Sequence, residues 1–520
     1  MRASSLLPLV TWGFGSVLAA RTRPPWFVPL VSIESIDDES PYPLVEFDQL
    51  IDHNKPEVGT FKQRYWYNDE YWGGPGSPIV LTTPGEQNAA NALRYLNETT
   101  IVSAIAKEIK AGVVLVEHRY YGTSTPWEEL TAQTLQPYTL ENSILDFTYF
   151  AQTVQLPFVK NASSNAADVP WHFSGFSYAG ALAQWIDSVA PGIFWSLHGS
   201  SGPVEVVYDY WGYFLGVQEG MPKNCSSSFT RMSRYLDEVL EKGHPHEVYK
   251  LKKMFGAEDL GYKDDFAAAV TLWPLSEWQG IQHYSNYSIF YQMCDAIQAN
   301  DTCDDGPPLH EALSRYSTWF KEEYLPDFCP SWGYEDWSEL GNTLCFDTHN
   351  ETSPIYTDLS TDNLMWRPWW WMCCNEPFFY WQTGHRDKPV TIGPTIADAE
   401  MFQAQCDLFF PETDGFTYAS NLGKTAEDVN EWTGGWLYTN TTRLITTNGE
   451  IDPWRAASMS SSLRPGGPVE SRPEAPVILI EGARHCYDFR GANADANEAV
   501  REARSQVIST IKGWTAEFYE

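Results

Sequence analysis

The sequence predicts an α/β fold: a mostly parallel sheet flanked by helices and interrupted by a long, largely helical insertion. Three observations predict it. Short uninterrupted apolar runs alternate with helical patterns from about 45 to 205, as buried parallel strands and their crossovers require. Between 206 and 425 the pattern turns helical, aromatic-rich and cysteine-rich, and from 426 to 520 the strand rhythm returns. A chain of 520 residues is long enough for one large core that carries such an insertion.

Taken in order, residues 1–20 have the make-up of an export signal. Arg2 supplies the positive start, Leu6 to Leu18 is mostly apolar and uncharged, and Val17-Leu18-Ala19 offers a small-residue cleavage site, with Ala20 as a second. Residues 21–44 are Pro-rich and polar, and read as an N-terminal arm or propeptide. In the first core segment, 45–205, Ile79–Thr82 and Gly112–Val116 are expected strands. Trp171-His172-Phe173 leads into a Gly-rich corner, followed by an expected helix from Gly180 to Val189. Within the insertion, 206–425, Arg231 to Phe255 is charged and amphipathic at helical spacing. In the second core segment, 426–520, Leu444 to Thr447 and Val477 to Ile480 restore strands, and a last helix is expected over 494–518. After the leader there is no apolar run of the roughly 18 residues that a membrane span needs.

Charge and cysteines narrow the setting. Lys and Arg total 34 against 68 Asp and Glu, a formal net charge of -34. That field repels phosphate backbones and anionic lipid, so nucleic acid and membrane surfaces are disfavoured as partners. It suits an acidic medium, where protonation relieves self-repulsion, and equally the plain solubility of an exported protein. Seven N-x-S/T sequons fit export: Asn97, Asn161, Asn224, Asn286, Asn300, Asn350 and Asn440. So do nine cysteines, at 225, 294, 303, 329, 345, 373, 374, 406 and 486, whose odd number leaves at least one thiol over. No Cys-x-x-Cys pair or His-rich cluster suggests zinc, so neither metal nor cofactor is expected. The expected location is extracellular, or alternatively a vacuolar or lysosomal lumen.

The strongest chemical signal is Ser174-Gly175-Phe176-Ser177-Tyr178-Ala179-Gly180, between an expected strand and an expected helix. A nucleophile elbow needs small residues two before and two after the serine, because strand and helix pack closely around a strained turn. Gly175 and Ala179 meet that need. Gly199-Ser200-Ser201-Gly202-Pro203 is a weaker rival, since Pro203 suits a turn better than a helix start. A serine hydroxyl is a poor nucleophile unless a histidine accepts its proton. In α/β-hydrolases the acid and then the histidine follow on loops after late strands. Asp452, in Asn448-Gly449-Glu450-Ile451-Asp452-Pro453-Trp454, and His485, in Glu481-Gly482-Ala483-Arg484-His485-Cys486, occupy those places. The expected triad is Ser177, Asp452 and His485. The expected oxyanion hole is the backbone N–H of Tyr178 with that of Gly85, from the loop after Ile79–Thr82. Glu86 is a candidate for a substrate's amino end, although a loop carboxylate is more simply expected to be solvated.

These residues resemble a known family: the serine peptidases that include lysosomal Pro-X carboxypeptidase and dipeptidyl peptidase II, and most closely the fungal acid prolyl endopeptidases. The resemblance runs from about 45 to the end. It rests on Phe61-Lys62-Gln63-Arg64-Tyr65-Trp66, Gly73-Gly74-Pro75-Gly76, Glu117-His118-Arg119-Tyr120-Tyr121-Gly122, the elbow and the two late loops. It implies a hydrolase core under a mainly helical cap, and cleavage after proline, secondarily alanine, in proline-containing peptides or proteins at acid pH. Phe176 departs from the pattern, standing where a second Gly is usual, and is expected to reshape the proline side of the pocket. Trp366-Arg367-Pro368-Trp369-Trp370-Trp371-Met372-Cys373-Cys374-Asn375-Glu376-Pro377 also matches; there the resemblance implies pocket roles for Trp369, Cys374 and Glu376. An aromatic wall suits a proline ring, which is apolar and has no N–H to satisfy. The resemblance further implies disulfides Cys374–Cys406, Cys225–Cys294 and Cys329–Cys345. Cys303 and Cys373 are additions, paired together or left as thiols, and Cys486 is expected reduced and buried.

Two other classes stand behind the peptidase. Within peptidases, an exopeptidase (Pro-X carboxypeptidase or dipeptidyl peptidase) differs from an endopeptidase only in how the cap closes the groove. A carboxylesterase or lipase on the same fold is more distant, because no HGGG-type loop stands near Gly85. A non-catalytic binding protein is last, since serine and histidine are both in place. Oligomeric state is not legible.

Overall fold

The computed structural model describes residues 40–520, apart from 286, 300–302, 362, 364–366, 386 and 391. The export signal, most of the 21–44 arm, the sequons at Asn286 and Asn300, and Trp366 of the cap motif lie outside the described residues. Strand runs along the chain give β1 (Leu44–Leu50), β2 (Thr60–Asn68), β3 (Ile79–Thr82), β4 (Gly112–Val116), β5 (Trp171–Phe176) and β6 (Ser196–Ser200). Two short strands, β7 (Val207–Asp209) and β8 (Phe379–Trp381), pair with each other; β9 (Leu444–Gly449) and β10 (Val477–Ile480) complete the set.

Eight strands form one sheet in the order β1-β2-β4-β3-β5-β6-β9-β10. The β1–β2 and β2–β4 pairs are antiparallel, and every pair from β4 to β10 is parallel. Period-two alternation explains why β3 and β4 read as unbroken apolar runs. Ile79, Leu81, Val114 and Val116 join the apolar cluster on one face, while Val80, Val113 and Leu115 join that on the other. Helix α1 (Ile101–Ile109) and the C-terminal helix Glu498–Phe518 cover the second face through Ile105, Ile511 and Trp514. Helices α2 (Leu140–Thr153) and α3 (Tyr178–Val189) cover the first through Phe147, Phe150, Leu182 and Trp185. Thr100 and Thr139 cap α1 and α2 by accepting the N–H of Ser103 and Asn142. This is an α/β-hydrolase fold.

Between β7 and β9 the chain is mainly helical. The expected amphipathic segment over 231–255 is two helices, Lys223–Lys242 and Pro245–Met254. Pro245 lacks an N–H and starts the second, so one continuous helix cannot form. The last expected helix is likewise split, Gly491–Ala496 then Glu498–Phe518, with the Asn497 side chain accepting the Val500 N–H. Three disulfides staple the insertion: Cys225–Cys294, Cys329–Cys345 and Cys374–Cys406, the pairs the resemblance implies. Cys373 is a buried thiol and so does not bridge Cys303; Cys486 is buried too. Trp371 and Phe378 share one apolar cluster with Trp171 and Trp185, so the insertion packs on the α3 face of the core. Among the described residues no helix is long and apolar enough to cross a membrane.

Candidate active site

The elbow is built by close packing. Ser177 links β5 to α3 at φ 59°, ψ -127°, a conformation an L-residue adopts only under tertiary constraint. A Cβ on Gly175 would lie 1.9 Å from the Ala179 carbonyl oxygen, and one on Gly180 2.3 Å from that of Ser200. Both positions therefore demand glycine. The Ser177 N–H donates to the Ser200 carbonyl at 2.9 Å, which fixes the turn against β6.

The two late loops meet that serine. His485 Nε2 lies 2.9 Å from Ser177 Oγ, and His485 Nδ1 lies 3.0 and 3.2 Å from the Asp452 carboxylate oxygens. Asp452 and His485 are buried, and Ser177 is partly exposed. Asp452 also caps the short turn Pro453–Ala457 by accepting the Trp454 N–H at 2.9 Å. The Ile451 N–H donates to the Ala483 carbonyl and ties the two loops together, and the Cys486 N–H donates to Ser201 Oγ and ties the histidine loop to the end of β6. Chemically, the imidazole can take the Ser177 proton while the carboxylate holds its other nitrogen.

The rival serines have other work. Ser200 Oγ donates to Asp488 Oδ1 at 2.5 Å, and Thr447 Oγ1 donates to Asp488 Oδ2 at 2.6 Å. His198 Nε2 stands 3.3 Å from the same carboxylate. These partners hold Asp488 below the usual carboxylate range although burial, the largest single influence, pushes it up. Asp488 thus joins the histidine loop to β6 and β9. Arg484 joins that loop to the insertion: its guanidinium lies 4.0 Å from the Trp278 ring centroid and donates to the Tyr291 hydroxyl. Neither residue was legible from motifs, because each is defined by partners far away in the chain.

Other expected site residues fall as follows. Tyr178 is the first residue of α3, where backbone N–H groups lack helical partners. Gly85, at φ 68°, abuts the elbow: a Cβ there would lie 3.7 Å from the Ala179 nitrogen. Its own N–H donates to Thr83 Oγ1 at 3.3 Å. Glu86 is not the solvated loop carboxylate expected. It is 6% exposed, and burial pushes its pKa up to about 8. Its charge would be felt by Tyr121, Tyr138, Tyr178 and Cys373, all buried. His118 lies at the same place, 3.1 Å from the Tyr178 hydroxyl, and burial lowers its pKa to about 4.

Trp369 is half-buried, with its ring 5.3 Å from that of Tyr178 and 5.8 Å from Phe378. Glu376 is buried and paired with Lys424 Nζ at 2.6 Å; burial raises its pKa against the pull of that ammonium. Phe176 corrects an expectation. Its ring packs 4.7 Å from Phe489 and 6.1 Å from Tyr95, inside the cluster on the opposite sheet face, so it does not shape the pocket wall. Alternation along β5 sends residue 176 away from the α3 side.

A hydroxyl, imidazole and carboxylate aligned on this fold define a serine hydrolase. The sequence comparisons narrow the class. The family model "Serine carboxypeptidase S28" matches residues 49–507, and the chain belongs to that family. It is 41% identical to the serine protease vicPa of Bipolaris victoriae (strain FI3) over 480 residues, covering 91% of this chain and 89% of the relative. It is 23% identical to the lysosomal Pro-X carboxypeptidase of Bos taurus, covering 96% and 93%. Among solved structures, a proline iminopeptidase of Mycobacterium smegmatis is 11% identical with a TM-score of 0.34, covering 88% of this chain and 96% of that one. The protein is a serine-type peptidase, and peptides are its substrates.

Proposed function

We propose that this peptidase is an endopeptidase that cleaves on the carboxyl side of proline, and secondarily of alanine, at acid pH. Ser177 Oγ attacks the peptide carbonyl carbon as His485 Nε2 takes its proton, and Asp452 stabilises the imidazolium. The Tyr178 N–H holds the developing oxyanion, and Gly85 joins it by exchanging its long bond to Thr83. Collapse breaks the C–N bond, the leaving amine takes the proton from His485, and water then hydrolyses the Ser177 ester.

The observation that carries proline preference is the aromatic wall of Trp369, Tyr178 and Phe378 beside the elbow. It offers a proline ring apolar contact and asks for no N–H. Glu86 is compatible with the acid working range without selecting it: with its pKa near 8 it is neutral from acid through neutral pH and places no bare charge beside the wall there. Glu376 contributes through its ion pair with Lys424, which fixes the end of the helix Arg367–Asn375 beside that wall. Export to the cell exterior or a lysosome-like lumen, with glycans on the exposed sequons Asn161, Asn350 and Asn440 among others, fits the leader-like start and the disulfides.

The test is a panel of proline-containing peptides, free or blocked at both ends, digested at mildly acid pH and read by mass spectrometry. Cleavage after internal proline in blocked peptides is the expected result. Cleavage only where one end is free moves the enzyme to the exopeptidase branch. Cleavage with no preference for proline overturns the specificity.

A further inference from the structure

We propose that Asp264, Asp265 and His349 form a binding site for a first-row divalent metal ion, zinc being the best match to the donor set. The site lies in the helical insertion and uses none of the residues around Ser177. One donor atom from each of the three residues lies within 4.8 Å of the others. Asp264 Oδ2 and His349 Nε2 are 3.2 Å apart. Oxygen and nitrogen ligands at about 2.0–2.1 Å from a tetrahedral zinc stand roughly 3.3–3.5 Å from each other, so one edge of the polyhedron is already set.

A second observation points to a ligand. Asp265 is only 1% exposed, and its Oδ2 has no hydrogen-bond partner. Its Oδ1 accepts from both the N–H and the hydroxyl of Thr348, at 3.2 and 2.7 Å. A buried carboxylate oxygen left bare is costly, and coordination by a cation removes that cost. The nearby ammonium groups do not do so by pairing. Lys252 Nζ donates to the carbonyls of Leu260, Gly261 and Tyr262, and Lys263 Nζ donates to that of Leu240.

Neighbouring groups hold the three side chains in place. The His349 ring stacks on Tyr262 at 3.6 Å, and its backbone N–H donates to Asp347 Oδ1. Thr348 orients Asp265, and the Asp265 N–H donates to Asp264 Oδ1. Side-chain exposures of 24% for Asp264 and 31% for His349 leave a path from solvent. One imidazole with two carboxylates favours zinc and its neighbours over calcium, which takes oxygen donors alone. The two ligand segments are 85 residues apart in the chain, so no local motif announces them.

The test is calorimetric titration of chelator-stripped protein with zinc sulfate alone at pH 7.5, alongside thermal melts. The expected result is one saturable site per chain, and a melting temperature raised by about 2–3 °C at 100-fold excess over Kd. His349→Ala and Asp264→Asn should each weaken binding by about tenfold or more, and Ser177→Ala should leave it unchanged. Both substituted ligands are partly exposed, so those variants carry the test even if Asp265→Asn fails to fold. No saturable binding overturns the proposal. So does binding by His349→Ala and Asp264→Asn equal to that of the wild type, which would put the zinc elsewhere.

Discussion

Two buried carboxyl groups lie close to the elbow, and their surroundings drive them in opposite directions. Asp488, on the histidine loop, receives the hydroxyls of Ser200 and Thr447 and faces His198, which together hold it charged. Glu86, on the β3 loop, is surrounded by tyrosine rings and a thiol, and its pKa rises to about 8. Burial is the same for both; donors make the difference. The charged group ties catalytic loops to the sheet. On the proposed proline-specific reading, the neutral group lets an apolar ring approach.

The largest effect should come from Asp488→Ala, which strands two hydroxyls and a histidine in the interior. We expect a loss of about 3–5 kcal/mol in chemical denaturation at pH 6, with kcat falling more than KM changes. The stabilisation by Asp488 is present above the unfolded carboxylate range, near 3.8, and is lost as pH falls through its lower folded value. Asp488→Asn should therefore cost least in strong acid. A wild-type kcat in Asp488→Ala would break the link to the histidine loop.

Lys424→Met should come next, because it leaves Glu376 buried without its cation. About 2 kcal/mol is expected, since Lys424 is itself a third exposed, and the loss should shrink in acid as Glu376 protonates. Glu86→Gln is subtler. The native carboxyl holds its proton up to about 8, against 4.5 for the ordinary group, so stability falls as pH rises between the two. Glu86→Gln should flatten that slope, and should lift the decline in proline kcat/KM above pH 8. An unchanged alkaline limb would remove Glu86 from the pocket. The smallest effect is expected from Lys512→Ala, which breaks an exposed pair with Glu108 and should change stability by no more than about 0.5 kcal/mol.

How far the sequence reached follows the same division. Strands β3 and β4 were legible to the residue because both their faces are buried, β10 was legible from its apolar run although it is an edge strand with Leu479 exposed, and the elbow was legible because packing at Gly175 and Gly180 admits one residue type. The order of serine, acid and histidine placed three residues that meet within hydrogen-bond distance. What escaped depends on partners remote in sequence. Asp488 reads as one more loop acid until Ser200 and Thr447 are brought to it. Glu86 reads as solvated until Tyr121 and Tyr178 close over it. Phe176 reads as a pocket residue until the pleat of β5 turns it to the other face.

In the proposed mechanism Ser177, and not Ser200 or Ser201, is the nucleophile. The most direct measurement is labelling with a fluorophosphonate, followed by intact-mass analysis and mapping of the modified peptide. One adduct per chain on Ser177, with no adduct and no peptidase activity in Ser177→Ala, is the predicted result. An adduct on Ser200 or Ser201, or activity that survives Ser177→Ala, would contradict it.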